Sequence, residues 1–350
     1  MHSLEPKYLD KLTFTAMQLA TLRQIGEYRG KQELYYAQAP EVLKSLQQVA
    51  SIESSESSNR LEGITVPHKR IEELVLKNTK PKDRSEQELA GYRDGLALLH
   101  ERSKDVPFTT GVILQLHQTL YRYLPNPGSR WKMTDNEIVE KNPDGSIKRV
   151  RFKATPAHLT PDAMDKLVKG YHLVIGAGKQ DPLVAIPLTI LDFLCIHPFT
   201  DGNGRIARLM TLQLLYHHDY QVGRYISLER TFEESKKSYY ETLEASSKRW
   251  HDGKHDPFPW LDYFWGVLIR AYREFEERVG KIKSGSRGWK TVQIRQAVER
   301  QLGQFAISDI EAECRGVSRD MVRNVLRQLR DEKKIKKVGK GRGTKWAKNA

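Results

Sequence analysis

His197-Pro198-Phe199-Thr200-Asp201-Gly202-Asn203-Gly204-Arg205-Ile206-Ala207-Arg208 packs a base, a carboxylate, two glycines, an amide and two arginines into twelve residues. The apolar run before it ends at Pro198, and Ile206, Leu209, Met210 and Leu212 or Gln213 resume a helical period after it. The stretch is therefore a turn between two helices. Gly202 and Gly204 let the backbone take positive φ angles and bring successive N–H groups together, an anion-binding nest at the start of the second helix. The dipole and unpaired N–H groups of that helix favour a polyphosphate. Arg205 and Arg208, three residues apart, can clamp phosphate oxygens with their planar forks. Asp201, beside the nest, would repel phosphates unless a Mg²⁺ bridged them. His197, just before the turn, can take a proton from an attacking hydroxyl at neutral pH.

These twelve residues resemble the core motif of the Fic family, H-x-F-x-(D/E)-G-N-G-R-x-x-R, and meet every specified position. The resemblance implies a protein adenylyltransferase, which moves AMP from ATP to a Tyr, Ser or Thr hydroxyl of a target protein or of itself. It implies His197 as the base and Asp201 as the ligand of a Mg²⁺ on the α and β phosphates. Gly202, Asn203 and Gly204 would line the anion hole, with Arg205 and Arg208 on the phosphates, Ile206 and Ala207 in the same nucleotide-binding stretch, and Phe199 as a core anchor.

Upstream, Ser57-Ser58-Asn59-Arg60-Leu61-Glu62-Gly63 resembles the inhibitory motif (S/T)-x-x-x-E-(G/N) of the same family, with Ser58, Glu62 and Gly63 in the matching positions. The resemblance implies that Glu62 pairs with Arg208 and blocks the productive γ-phosphate position, so the enzyme rests inhibited. The residues alone also read as a helix start, with Asn59 as the cap and Glu62 closing a capping box.

Asn142-Pro143-Asp144-Gly145 is a strong turn signal, and its flanks, Asn136 to Glu140 and Ile147 to Phe152, alternate in part. This predicts a β-hairpin. By resemblance it is the flap, about residues 131–154, that takes a target's backbone as an added strand and leaves its hydroxyl near His197. Its Lys148-Arg149-Val150-Arg151 run hints at an acidic target, and a surface hairpin without a partner is the plainer reading. Tyr240, by its place after the core motif, resembles a residue that contacts adenosine; a tyrosine at helical spacing also serves as plain core. His217 and His218 are adjacent on a helix and point about 100° apart, which suits a polar helix end rather than a metal site.

At 350 residues the chain suggests two or three domains. Its two cysteines, Cys195 and Cys314, imply no disulfide framework. The longest apolar run, Leu183 to Ile196, is too short to span a bilayer and carries Pro187 and Asp192. Pro187 is expected to kink its helix or remove a hydrogen bond. No signal peptide opens the sequence, so the expectation is a cytoplasmic protein with no membrane partner.

From Lys281 to Ala350 there are nineteen Lys/Arg against seven Asp/Glu, so +12 of the chain's formal +14 lies in its last fifth. Ser284 to Gly288 reads as a linker after a long helix over Trp260 to Val279. Helical patterns follow around Val292 to Leu302, Ser308 to Glu313 and Ser318 to Arg330. The last puts Met321, Val322, Val325, Leu326 and Leu329 on one stripe and Arg319, Arg323, Asn324, Arg327 and Arg330 towards solvent. Ile335 to Trp346 then reads as a basic two-stranded wing. The region resembles a winged helix-turn-helix, which suits DNA at residues 289–346 or serves protein contacts.

The expected fold is mainly α: an N-terminal helical region (1–104) carrying the inhibitory motif, a Fic catalytic core with its flap (105–280) and the basic winged domain (281–350). ATP and Mg²⁺ are the expected substrate and metal, and a homo-oligomer is compatible with the sequence. Two other functions fit: a hydrolase that removes AMP, with Glu62 positioning water, and a DNA-binding regulator with an ATP-sensing core.

Overall fold

The apolar run and the helical period that flank the opening motif form two adjacent buried helices, and the rest of the larger unit is built round them. The computed structural model describes residues 3–36, 40–125, 128–141, 146–178, 180–285, 291, 294–295, 297–298, 301, 303–314, 317–339 and 345–349. It divides into two compact units, Met1–Glu276 and Glu277–Ala350. The N-terminal helical region lies in the first unit together with the core.

The first unit runs α1 (Pro6–Leu9), α2 (Ala16–Tyr36), α3 (Pro40–Leu61), α4 (His68–Leu76), α5 (Arg84–Arg102), α6 (Thr110–Leu120), β1 (Glu137–Lys141), β2 (Ile147–Lys153), α7 (Thr160–Gly176), α8 (Pro182–Ile196), α9 (Asn203–His217), α10 (Leu228–Glu234), α11 (Lys236–Ser247) and most of α12 (Phe258–Gly285), which continues past the unit's end at Glu276. Helix α8 packs against α7 and α9, and nearly all its side chains are buried. Each fully buried Leu, Ile or Phe there contributes about 1.5–3 kcal/mol relative to exposure. This packing fixes the turn between α8 and α9.

Pro187 lies inside α8, and the helix runs through it unbroken. The expected loss of a hydrogen bond is repaired from outside. Proline has no N–H for the carbonyl four residues back, Leu183, and the indole Nε1–H of Trp265 on α12 donates to that oxygen at 2.8 Å. Trp260 does the same for the Pro187 carbonyl at 2.8 Å. Asp192 is fully buried on the same helix, where Ser3 and the Trp250 indole donate to its Oδ1.

The serine-rich segment 51–58 is helical, because α3 continues through it to Leu61. Ser54, Ser55, Ser57, Ser58 and Asn59 are all buried. Ser54 Oγ donates to Glu229 Oε2 at 2.7 Å and makes a 2.9 Å bond to Ser227 Oγ, so a polar helix face is buried by pairing it with another. Asn59 therefore stands near a helix end and not at a start. Its Nδ2 donates to the Ser55 carbonyl, the chain leaves the helix at Gly63 with φ +82°, and the capping-box reading falls.

Strands β1 and β2 form the expected antiparallel hairpin, with Glu137 opposite Lys153 and Lys141 opposite Ile147. The turn predicted at Asn142–Gly145 lies outside the described residues. In the second unit the described elements are α13 (Ile307–Glu313), α14 (Arg319–Asp331) and the antiparallel pair β3 (Ile335–Val338) and β4 (Lys345–Lys348). Ser318 caps α14, whose Val322, Val325, Leu326 and Leu329 are buried with Phe305, Ile310, Ile335 and Trp346. Arg319, Arg323, Asn324, Arg327 and Arg330 are exposed. The tip predicted for a wing at 340–344, most of the linker predicted at 284–288 and much of the helix predicted over 292–302 lie outside the described residues. Cys195 and Cys314 are both buried and not joined in a disulfide, and no described helix is long and apolar enough to cross a membrane.

Trp265→Phe is expected to cost about 1–3 kcal/mol beyond the lost ring area, the penalty for a buried carbonyl without a donor. Adding Pro187→Ala should recover part of it, since alanine restores the missing N–H. Urea denaturation of both single variants and the double variant measures the coupling, and strict additivity would show that Trp265 does not serve the Leu183 carbonyl.

Candidate active site

His197 is the cap residue that ends α8, in the left-handed region at φ 51°, ψ 61°. A non-glycine there costs of order 1–2 kcal/mol, and the surrounding loop holds it. Asn203 is the main brace. Its Oδ1 accepts from the Phe199 N–H at 2.9 Å and its Nδ2 donates to the Phe199 carbonyl at 2.7 Å, so the amide closes the loop on itself. The ring of Phe199, fully buried, stacks on His117 with centroids 3.8 Å apart.

The segment leading into the hairpin braces the loop from the other side. The Lys132 N–H donates to the Pro198 carbonyl at 2.8 Å and its Nζ to the Ile196 carbonyl at 3.1 Å. Asn136 Nδ2 donates to the carbonyls of His197 (3.3 Å) and Phe199 (3.0 Å). Burial lowers the Lys132 ammonium to about 8. Neither residue carried a signal in the sequence beyond nearness to the hairpin.

The His197 ring is half-buried, and burial pushes its pKa down to about 4. Nδ1 lies 3.2 Å from the Leu194 carbonyl, which can only accept, so Nδ1 carries the proton and Nε2 keeps a lone pair. The histidine is a neutral base with one nitrogen fixed and the other available.

Of the two motif glycines only Gly202 needs its freedom of φ (+84°), as the residue that caps α9. Gly204 is helical and is needed for space: a Cβ there would lie 2.2 Å from Glu62 Oε1 and 3.1 Å from Arg208 Nη1. No side chain caps α9, so its opening N–H groups have none of the usual partners. Ile206 and Ala207 are core side chains, and the Ile206 N–H is spent on the Gly202 carbonyl. The anion-binding part of the stretch is therefore confined to its first residues.

The two arginines part company although they share a helix. Arg208, 2% exposed, donates from Nη2 to Glu62 Oε1 at 2.7 Å and to the Ser58 carbonyl at 2.9 Å, and from Nε to Ser58 Oγ at 2.8 Å. Arg205, 1% exposed, pairs instead with Glu88 of α5, Nη1 to Oε2 at 2.7 Å. Its Nη2 lies 3.2 Å from the Tyr121 hydroxyl and 3.4 Å from Asp201 Oδ2. Burial works against the charged form of Asp201, but the Tyr121 hydrogen bond and the Arg205 charge outweigh it and hold its carboxyl below the ordinary range.

A cavity of about 670 Å³ joins these parts. Glu62, Gly63, His197, Gly204, Arg208 and Tyr240 line it, together with residues of the hairpin and of α11. Asp201, Gly202, Asn203, Arg205, Ile206 and Ala207 do not line it. Leu191, Leu194, Cys195, Phe152 and Leu243 are among its apolar lining residues. The basic run of the hairpin is paired within the protein: Glu140 takes Lys148, Arg149 and Arg151, and Arg149 makes a two-pronged pair with Glu244 of α11 at 2.6 and 2.9 Å. His217 Nε2 meets the Ser103 and Val106 carbonyls, and His218 Nε2 meets the Tyr171 hydroxyl. Among the described residues no group of three or more His, Cys, Asp or Glu could cage a metal. A metal here would rest on the single carboxylate of Asp201 together with a ligand's own oxygens, the usual habit of Mg²⁺.

Residues 107–215 match the Fic/DOC family. Over that stretch the chain is similar to Fic-domain proteins. It is 24% identical over 107 residues to a Fido domain-containing protein of Dictyostelium discoideum, covering 29% of this chain and 71% of that one. Its fold is similar to a Fic family protein from Desulfovibrio desulfuricans, with a TM-score of 0.61 at 19% identity over 97% of both chains. It is also similar to a Fic domain containing signaling protein from Bacteroides thetaiotaomicron, with a TM-score of 0.59 at 21% identity over 75% of this chain and 98% of that one. Fic-1 from C. elegans matches with a TM-score of 0.57 at 17% identity, over 77% of this chain and 74% of that one. The Fic family generally transfers nucleoside monophosphates to proteins, and its members are typically transferases.

Burial holds three histidines neutral, with pKa values of about 3 for His100 and about 4 for His117 and His197. Between pH 6.5 and 4 the unfolded chain takes up protons at these rings and the folded chain does not. Their contribution is present at pH 7 and is lost as pH falls through that window. Buried Asp192, raised to about 6 by burial, works the other way. The balance predicts a stability loss of about 2 kcal/mol per pH unit near pH 5, to be read from urea midpoints at pH 7, 6 and 5. A flat profile would contradict the assignment of neutral rings.

Proposed function

We propose that the chain is a protein adenylyltransferase, transferring AMP from ATP to a Tyr, Ser or Thr hydroxyl of a target protein and of itself, and that Glu62 holds it at rest. The observation that carries this reading is the seat of the Glu62 carboxylate. It lies over Gly204 at the start of α9, 2.7 Å from Arg208, in the cavity that His197 also lines. An anion from the protein's own N-terminal region occupies the place where a helix start and a guanidinium would grip a phosphate.

In the transfer, the target hydroxyl oxygen attacks the α-phosphorus, the bond to the bridging oxygen breaks and pyrophosphate leaves. His197 Nε2 takes the hydroxyl proton, while Nδ1–H on the Leu194 carbonyl fixes the ring. Mg²⁺, when bound, would neutralise charge on the α and β phosphates. Asp201 fits it by its chemistry, as an oxygen donor whose side chain is 62% exposed next to the opening turn of α9. The N–H groups of that turn would take the phosphates with Arg208, once Glu62 withdraws. Tyr240 and the apolar residues of the cavity lining suit the adenosine. The hairpin at 131–154 offers strand edges for the target's backbone, and Lys132 and Asn136 tie its base to the carbonyls around His197.

Glu62→Gly is expected to label itself strongly with radiolabelled ATP and Mg²⁺, and His197→Ala in that background to abolish the label. No transfer by Glu62→Gly would refute the proposal. Release of AMP from a labelled target by the wild type, lost in Glu62→Gly, would favour the hydrolase.

For the second unit we propose contact with DNA. The support is the exposed face of α14, where Arg327 and Asn324 stand with the strand lysines Lys336 and Lys337 nearby in sequence. Arg319 and Arg323 are partly engaged with Glu311 and Asp320. Arg327→Glu combined with Lys336→Glu should lower the salt concentration at which the chain leaves a DNA column. Unchanged elution would favour a protein partner.

A further inference from the structure

We propose that Tyr121 and Glu88 are positioning residues for the metal-binding carboxylate, holding Asp201 and Arg205 as one fixed unit from outside the motif. The inference rests on the function proposed above, in which Asp201 is the Mg²⁺ ligand.

The Asp201 side chain is 62% exposed, and an aspartate so placed ordinarily turns freely in water. Here both carboxylate oxygens are held. Oδ1 accepts the Gly202 N–H at 2.7 Å, and Oδ2 accepts the Tyr121 hydroxyl at 2.7 Å. Because the hydroxyl donates to Asp201, its oxygen is the acceptor for Arg205 Nη2 at 3.2 Å. The same guanidinium lies over the Tyr121 ring, 5.6 Å from its centroid, and its other end is anchored on Glu88. The order is thus Glu88, Arg205, Tyr121, Asp201, from the buried side outwards.

Helix α6 supports the backbone of the same residue. Tyr121 caps its C-terminus. One turn earlier, His117 Nδ1 accepts the Ser129 N–H at 3.1 Å, which leaves Nε2–H to donate to the Asp201 carbonyl at 3.1 Å. Gly202 packs on Tyr121 so closely that a Cβ would lie 3.1 Å from its hydroxyl. Main chain and side chain of Asp201 are therefore both set by α6.

Exposed ion pairs contribute little to stability, so pinning an exposed carboxylate is poorly explained by folding alone. It is well explained by a ligand that demands near-octahedral geometry. Oδ2 is engaged by Tyr121 at 2.7 Å and Arg205 at 3.4 Å, while Oδ1 accepts the Gly202 N–H and keeps a second lone pair for a cation. Hydrogen-bond partners of ligating carboxylates typically govern metal affinity by about 10–100-fold.

The test uses the full chain with Glu62→Gly, so that nucleotide has access, and Mn²⁺ as the probe. Loss of the free Mn²⁺ paramagnetic resonance signal is titrated with α,β-methylene ATP present. Tyr121→Phe, which removes only the hydroxyl, should weaken Mn²⁺ binding about tenfold, and Glu88→Gln should weaken it less, in the same direction. Binding of the analogue in EDTA should change less than about twofold in either variant, which separates positioning of the metal ligand from general damage to the loop. If Tyr121→Phe does not fold, Glu88→Gln carries the comparison. Mn²⁺ affinity equal to the parent's in the folded variants overturns this inference and leaves the proposed function standing. Failure of the Glu62→Gly parent to hold Mn²⁺ with the analogue overturns both.

Discussion

The organisation of the first unit follows from two buried cations on one helix. Arg205 and Arg208 are almost fully excluded from solvent on α9, and an isolated charge in that position would cost several kcal/mol. Each needs an anionic partner, and neither finds one on the central helices. Glu62 at the end of α3 meets Arg208, and Glu88 of α5 meets Arg205. The N-terminal helices are thus tied to the core by charge as well as by apolar packing, which is why residues 1–104 share one unit with it. The polar face of α3 obeys the same rule. Ser54 with Glu229, and Ser58 with Arg208, turn a serine-rich segment into a buried interface.

Much of this was legible in the sequence because the motif residues have few alternative uses. The turn between two helices, the hairpin and the Glu62–Arg208 pair all follow from local chemistry or from resemblance. What escaped was long-range. Nothing near Pro187 announces that two tryptophans of the distant helix α12 will serve its carbonyl and that of Leu183, since a proline in an apolar run reads locally as a break. The serine-rich composition at 51–58 does not announce burial, because only distant partners such as Glu229 and Arg208 make it tolerable. Glu88, His117 and Tyr121 lie on helices whose sequence shows ordinary amphipathic residues, and their meaning appears only when α5 and α6 reach the Asp201 loop. Asn203 was read as an anion-hole residue, while its side chain closes the loop through Phe199.

The separate fates of the two arginines also explain how one loop can hold both a fixed and a variable part. Arg205 has its carboxylate, its tyrosine and its place away from the cavity. A pair of that kind, broken on one side, leaves an uncompensated buried charge, so it stays closed. Arg208 faces the cavity, and its carboxylate partner comes from a residue just past a helix end, beside Gly63 at φ +82°. That partner is the more easily moved.

On the proposed reading this difference sets the energetics of the resting state. If Glu62 left Arg208 without replacement, the buried guanidinium would have lost its counter-charge, and the open state would be strongly disfavoured. A polyphosphate arriving at the start of α9 supplies the missing negative charge, so the cost of withdrawing Glu62 is offset by the ligand that needs the space. The equilibrium between the two then depends on differential affinity, since a ligand shifts a conformation only by what it binds better in one state. The Ser58 hydroxyl and carbonyl, which bond Arg208 independently of Glu62, keep the guanidinium in place during the exchange. The arginine can therefore remain still while the anion opposite it changes.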